Sequence, residues 1–147
     1  MSDVENYMKV EFEGISENER LARMLVSAFV VTFNPTLEEL EDVKTATSEA
    51  VTNCIIHGYE QLGGPIEMTM EKKGQELFLQ VADYGIGICD VEKAMEPLFT
   101  TKPQLDRSGM GFTFMEAFMD EVKVHSVKGK GTVVHMKKIF GSTCKRV

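Results

Sequence analysis

The 147-residue chain has no tryptophan, three cysteines and four prolines, and its 16 lysines and arginines are outnumbered by 23 aspartates and glutamates. Each shortage excludes something. Cys54, Cys89 and Cys144 are odd in number and widely spaced, with no C-x-x-C pair, so neither a disulfide framework nor a zinc site is supported. Cys54 falls among apolar neighbours and reads as a small buried hydrophobe. The net charge of −7 argues against general nucleic-acid binding and against a basic membrane-surface role. No apolar run approaches the ~20 residues a membrane helix needs, and MSDVENYMKVEFEG is not a signal peptide. A cytoplasmic protein is expected. There is no G-x-x-x-x-G-K-[ST] loop and no strand–GxGxxG–helix unit, so neither common phosphate-binding fingerprint applies.

What remains is an ordinary globular composition, 43% hydrophobic and 27% charged. The length suits one domain over residues 1–147. Met8, Val10 and Phe12 alternate with charged residues, as in a half-buried first strand. Ser16 and Glu19 have the spacing of a capping box, opening a helix whose apolar stripe is read as Leu21, Leu25, Ala28, Phe29 and Thr32 and which stops at Asn34-Pro35. Thr36 and Glu39 repeat the capping box at the head of a longer helix, ended by Gly58 and Gly63-Gly64-Pro65. Ile66, Met68, Met70 and Leu77, Leu79, Val81 alternate around Lys72–Gln75, a hairpin. Residues 97–111 show no sustained period, a segment long enough to suggest a functional lid or disorder. A helix over 112–118 and a hairpin around 128–131 complete the pattern. The fold expected is α/β, more fully an α+β two-layer sandwich with a mixed β-sheet and helices on one face.

Three motifs carry chemistry. At helical pitch Glu49, Asn53 and His57 form one polar ladder beside an apolar face of Ala50, Val51, Cys54, Ile55 and Gly58. An amide oxygen can ligate Mg²⁺ while a carboxylate one turn earlier handles a proton or a water. Alone, the same spacing suits an ordinary amphipathic helix. Asp83-x-Gly85-x-Gly87 follows a strand, where a carboxylate can accept from an exocyclic amine and glycines admit a ligand. It equally suits a tight turn. Ser108-Gly109-Met110-Gly111 precedes a helix, so backbone N–H groups there can face phosphate, or the glycines can act as a hinge. His57 stands either as a nucleotide-contacting imidazole or as a helix-end histidine.

In this order, E-x-x-x-N on a helix, D-x-G-x-G after a strand, and a lid ending in G-x-G resemble the ATP-binding (Bergerat) fold of gyrase, Hsp90, histidine kinases and MutL. EAVTNCIIHGYE, PLFTTKP and RSGMGFTFMEAFMD resemble more closely the anti-sigma F factors of endospore-forming bacteria, over nearly the whole chain. The resemblance implies a homodimeric serine protein kinase that sequesters sporulation sigma factor F and phosphorylates its antagonist, the anti-anti-sigma factor. The unphosphorylated antagonist displaces sigma. It implies ATP or ADP with Mg²⁺ as ligands, and no direct contact with nucleic acid or membrane.

By the same resemblance Asn53 ligates Mg²⁺ and Glu49 orients or deprotonates the acceptor hydroxyl. Asp83 binds the adenine amine, with Gly85 and Gly87 giving the base room and Thr132 supporting the aspartate. Ser108, Gly109, Met110, Gly111 and Phe112 wrap the phosphates. Thr100, Thr101, Lys102 and Arg107 are candidates to reach the γ-phosphate, with Arg107 the first choice for charge stabilisation. Arg23 on the first helix is the candidate partner contact, and the outer faces of residues 7–33 are the expected dimer surface. Two alternatives stand beside this. One is a general-stress anti-sigma kinase of the same family; the other is an ATP-gated sequestering module with little transfer.

Overall fold

The computed structural model describes residues 4–88, 95 and 111–141. Strand β1 (Asn6–Glu13) leads into helix α1 (Glu17–Val30), and helix α2 (Leu37–Asn53) follows after a short turn. Then come β2 (Pro65–Lys73), β3 (Glu76–Asp83), helix α3 (Gly111–Phe118), β4 (Glu121–Val127) and β5 (Gly131–Ile139). The strands form one sheet in the order β1-β2-β3-β5-β4. Every pairing among these strands is antiparallel, where a mixed sheet was expected. The β2–β3 and β4–β5 pairs are hairpins and antiparallel by their short connections, while β1 beside β2 and β5 beside β3 take their direction from tertiary packing.

Alternation decides which side of the sheet is core. Ile66, Met68 and Met70 on β2 and Leu77, Leu79 and Val81 on β3 are buried at 0–1% exposure, and Val134 and Met136 continue the layer on β5. Against it pack Val43, Ala46, Ala50 and Val51 of α2, Ala22, Val26, Phe29 and Val30 of α1, and Phe112 and Met115 of α3. The two-layer sandwich is as expected.

Two details of α1 are not. Its buried stripe is Ala22, Val26, Phe29 and Val30, about one residue round from the stripe expected, and Leu21 and Met24 stay 43% and 66% exposed. The helix is apolar on more than one face, so periodicity alone could not choose between them. The first capping box also fails to form: Ser16 is itself helical (φ −54°, ψ −36°) and makes no side-chain cap. Glu19 is engaged elsewhere, accepting from the Ser48 hydroxyl and pairing with Arg23 Nε at 2.6 Å. The second box forms fully, with Thr36 N–H donating to Glu39 Oε1 (2.9 Å) and Glu39 N–H to Thr36 Oγ1 (3.1 Å).

Helix α2 does not run regularly to Gly58. After Asn53 the chain widens, with Tyr59 N–H donating to Cys54 O (2.9 Å), five residues back. Such an i→i+5 turn shifts whatever follows off the helix's phase. Glu49 and Asn53 keep the pitch of α2, whereas His57 lies inside the wide turn and leaves the ladder predicted for it.

Candidate functional site

Where β3 ends, the wide turn after α2 and the turn over residues 84–88 lock together. Gly58 O accepts from Ile86 N–H (3.0 Å). A methyl at Gly58 would stand 2.8 Å from the Asp83 carboxylate, and one at Gly85 would stand 2.0 Å from Gly58 O, so both positions exclude any side chain. Gly87 has φ +77°, and a methyl there would approach Val127 O to 2.4 Å. The glycines of D-x-G-x-G therefore serve close backbone contact.

Tyr59 braces this junction. Its hydroxyl accepts from Tyr84 N–H (2.7 Å) and donates to Pro65 O (2.5 Å), while Gly64 leaves room for its ring. Nothing in the sequence assigned Tyr59 a part; the signal available was a tyrosine five residues beyond Cys54, legible only once the turn is known to be wide.

Asp83 is 4% exposed. Its Oδ1 accepts from Gly85 N–H at 2.9 Å. Burial pushes its carboxyl above the ordinary aspartate value, against the pull of the Gly85 N–H, the Cys54 thiol and the Thr132 N–H. Cys54 in turn is held far above the usual thiol range by burial and by the Asp83 charge. It remains a neutral donor to the carboxylate. Cys54 is thus the buried residue the sequence suggested, with a polar task the sequence did not show.

Asp83, Thr132 and Ser126 are cross-strand partners on the inner face of β3, β5 and β4. Ser126 Oγ lies 2.8 Å from Thr132 Oγ1, donates within reach of Gly131 O (3.1 Å) and accepts from Ile88 N–H (2.6 Å).

On the other side of the wide turn, α3 begins directly against α2. A methyl at Gly111 would stand 3.1 Å from Asn53 Nδ2 and 3.3 Å from Glu49 Oε2. The glycine that ends Ser108-Gly109-Met110-Gly111 thus lies on the carboxylate and amide of E-x-x-x-N. Asn53 Nδ2 is buried with no hydrogen-bond partner, a cost a folded protein usually avoids. Phe112, next along α3, is 9% exposed and belongs to the core.

These observations test the fit of a metal nucleotide. The unpaired Asn53 Nδ2 is a donor suited to a phosphate oxygen, while the amide and carboxylate oxygens of Asn53 and Glu49 are hard ligands suited to Mg²⁺ rather than to a soft metal, with Gly111 close upon both. Among the described residues no cluster of three or more His, Cys, Asp or Glu could hold a metal by itself.

Glu49, Asn53, Gly111, Asp83, Gly85, Gly87 and Thr132 all line this end of the fold, and His57 lies in the wide turn. Thr100, Thr101, Lys102, Arg107, Ser108, Gly109 and Met110 lie outside the described residues. Arg23 sits on α1, ion-paired to Glu19 and 37% exposed at its side chain. No helix among the described residues is long and apolar enough to cross a membrane.

Residues 14–138 match the family described as "Histidine kinase-like ATPase domain", a nucleotide-binding fold. The structure is similar to the RsbU and RsbW domains of a Mycobacterium tuberculosis protein, with TM-score 0.67 at 16% identity over 92% of this chain and 32% of that one. It is also similar to the catalytic domain of histidine kinase ThkA, with TM-score 0.55 at 19% identity over 90% of this chain and 97% of that one. Both establish the fold. Curated relatives are nearer. The anti-sigma F factor of Clostridium kluyveri is 57% identical over 138 residues, 94% of this chain and 97% of the relative. That of Clostridium acetobutylicum is 56% identical over 137 residues, covering 93% and 96%. At that identity and coverage, on an ATPase fold whose motifs converge at one end of the sheet, the chain belongs to the anti-sigma F factor family.

Proposed function

We propose that this anti-sigma factor binds sporulation sigma factor F and, as an ATP-dependent serine protein kinase, phosphorylates an anti-anti-sigma factor and so inactivates it. The observation that carries the kinase half is the meeting of Gly111 with Glu49 and the partnerless Asn53 amide. A module that only bound ATP has no need of a carboxylate beside that amide.

Asn53 Oδ1 would hold Mg²⁺ against the nucleotide phosphates, and bound Mg²⁺ supplies neutralisation of phosphate charge during transfer. Glu49 is placed to orient the acceptor hydroxyl and accept its proton. Asp83, ionised, offers only acceptor oxygens and so matches an exocyclic amine. Gly85 and Gly87 would shape the base site indirectly, by letting the turn after Asp83 pack against the Gly58 and Val127 backbone, and Thr132 would support Asp83 through its N–H. Ser108 to Phe112 would wrap the phosphates, with Thr100, Thr101 and Lys102 reaching toward the γ-phosphate and Arg107 countering its charge. His57 would reach nucleotide only from the wide turn, off the ladder of Glu49 and Asn53.

The homodimer and partner surfaces are assigned to β1 and α1. Supporting this, β1 is an edge strand, and Leu21 and Met24 of α1 and Val31 just beyond its end are exposed apolar residues. Arg23 beside them would contact sigma or the antagonist, and Arg23→Glu that leaves both complexes unchanged at physiological salt removes that role.

The kinase reading is tested by intact-mass detection of phosphate on a purified anti-anti-sigma protein after incubation with MgATP. One added phosphate is expected, and its loss with Glu49→Gln. No transfer, with ATP bound and sigma captured, would leave the ATP-gated sequestering module. Transfer only to a general-stress antagonist would point to the sister branch.

A further inference from the structure

Two neighbouring hydroxyls near the C-terminal end of α2 behave differently. Thr47 is fully buried, and its hydroxyl donates to Val43 O (2.8 Å), one turn back in its own helix. That is the usual habit of a helical hydroxyl. Ser48 reaches out of its helix instead and donates to Glu19 Oε2 on α1. Arg23 Nε, itself buried, stands 2.6 Å from the same oxygen. One carboxylate of α1 thus holds a hydroxyl of α2 and a guanidinium of its own helix.

Consecutive residues on a helix point about 100° apart round the axis. Ser48 turns toward α1, while Glu49 turns toward α3, where a methyl at Gly111 would stand 3.3 Å from Glu49 Oε2. The turn that carries the site carboxylate is therefore gripped from the side by Ser48. Other restraints on its rotation are weak. Ala46 and Ala50 are fully buried but offer only methyl contacts, which are non-directional. Past Asn53 the regular winding ends, so no further turns of α-helix extend the axis. A carboxylate that must meet a reacting hydroxyl tolerates only about half an ångström of drift.

We infer that Ser48 is a positioning residue for phosphoryl transfer: bonded to Glu19, it fixes the rotation of α2 about its axis and so the place of Glu49. Arg23 shares the Glu19 oxygen, so the α1 surface assigned to partners touches, through one carboxylate, the turn from which Glu49 projects. The inference rests on the kinase reading above and deepens it.

The experiment measures steady-state phosphate transfer from MgATP to a saturating anti-anti-sigma protein, and the MgATP dissociation constant by calorimetry, on the full chain. Ser48→Ala should lower kcat about five-fold, the effect of one ordered hydrogen bond, and leave MgATP affinity within about two-fold of wild type. The loss should vanish when Glu19→Ala is already present, because the acceptor is gone. Ser48→Thr and Ser48→Val, which differ only in the hydroxyl, repeat the test in β-branched form. The threonine should keep kcat and the valine lose it. Unchanged turnover in Ser48→Ala and Ser48→Val would overturn the inference while leaving the kinase reading in place. So would an equal loss on the Glu19→Ala background. A serine needed only for folding would lower kcat, MgATP affinity and melting temperature together, and that pattern also overturns it. Wild-type protein that binds MgATP and transfers nothing would overturn both readings.

Discussion

Two carboxylates at opposite ends of the strands are almost equally hidden from solvent, Glu39 at 3% exposure and Asp83 at 4%. They are not equivalent. Burial pushes the Glu39 carboxyl up, but the Thr36 and Gly141 N–H groups, the Thr36 hydroxyl and the Lys138 charge hold it below the ordinary glutamate value. Lys138 also donates to Phe118 O (2.8 Å) and pairs with Asp42 (3.2 Å), and Phe33 stacks on Phe140 at 4.5 Å. That end is closed. At the other end burial wins and Asp83 is pushed up, while the Asn53 amide goes without a partner. The same chemical group is favoured as a charge in one place and disfavoured in the other. Each carboxylate accepts from three donors, but Glu39 also has the Lys138 charge beside it and lies nearer the surface, whereas at Asp83 burial prevails.

The comparison can be broken most severely at Glu39. Glu39→Ala removes half of the capping box and leaves the Thr36 and Gly141 N–H groups without their acceptor, so a loss of about 2–4 kcal/mol is expected in urea unfolding. A loss under ~1 kcal/mol would show that the closed end is not held by this carboxylate. Asp83→Asn should act oppositely: in nucleotide-free protein at neutral pH, stability holds or rises, because a disfavoured buried charge is gone. MgATP affinity should fall roughly 10- to 100-fold, as for a hydrogen bond to a charged group. A variant that unfolds without losing affinity would reverse the assignment.

The pH dependence sharpens the same contrast, and the signs follow from the directions of shift. The lowered Glu39 contributes stability that is present above the ordinary glutamate value and is lost as pH falls through its lower folded value. The raised Asp83 contributes stability that is present below the ordinary aspartate value and is lost as pH rises through its higher folded value. Urea midpoints should therefore show the advantage of Asp83→Asn over wild type growing as pH rises from acid to neutral. The cost of Glu39→Gln should shrink as pH falls in the acid range. Parallel profiles for the two variants would refute the distinction. The smallest effect is expected at Arg23, a part-exposed i,i+4 pair with Glu19. Arg23→Ala should shift unfolding by no more than about 0.5 kcal/mol, a thermal-melt change near the limit of detection.

Much of this was legible in the chain. The Thr36–Glu39 box, both hairpins and the strand faces follow from short-range rules, and the structure keeps them. Ser16 and Glu19 obey the same spacing rule and make no box, because Ser48, twenty-nine residues away, and Arg23 compete for the glutamate. A local pattern cannot report a distant competitor. The direction of β5 beside β3 is also a tertiary choice, hence the expectation of a mixed sheet. For the site, E-x-x-x-N and D-x-G-x-G marked its two halves, but their junction depends on an irregular turn that helical periodicity does not encode. Ser126 could have been found from sequence only by first fixing the register of both β5 pairings and then noticing the one polar row.

That irregular turn has a further consequence. Because Cys54–Gly58 breaks the phase of α2, Glu49 and Asn53 belong to one piece of backbone and the junction of Gly58 with Asp83 and Gly85 to another. A regular helix would have tied both to one screw axis, so any rotation improving one contact would have spoiled the other. With one surplus residue in the winding, substitutions can adjust either half without turning the other.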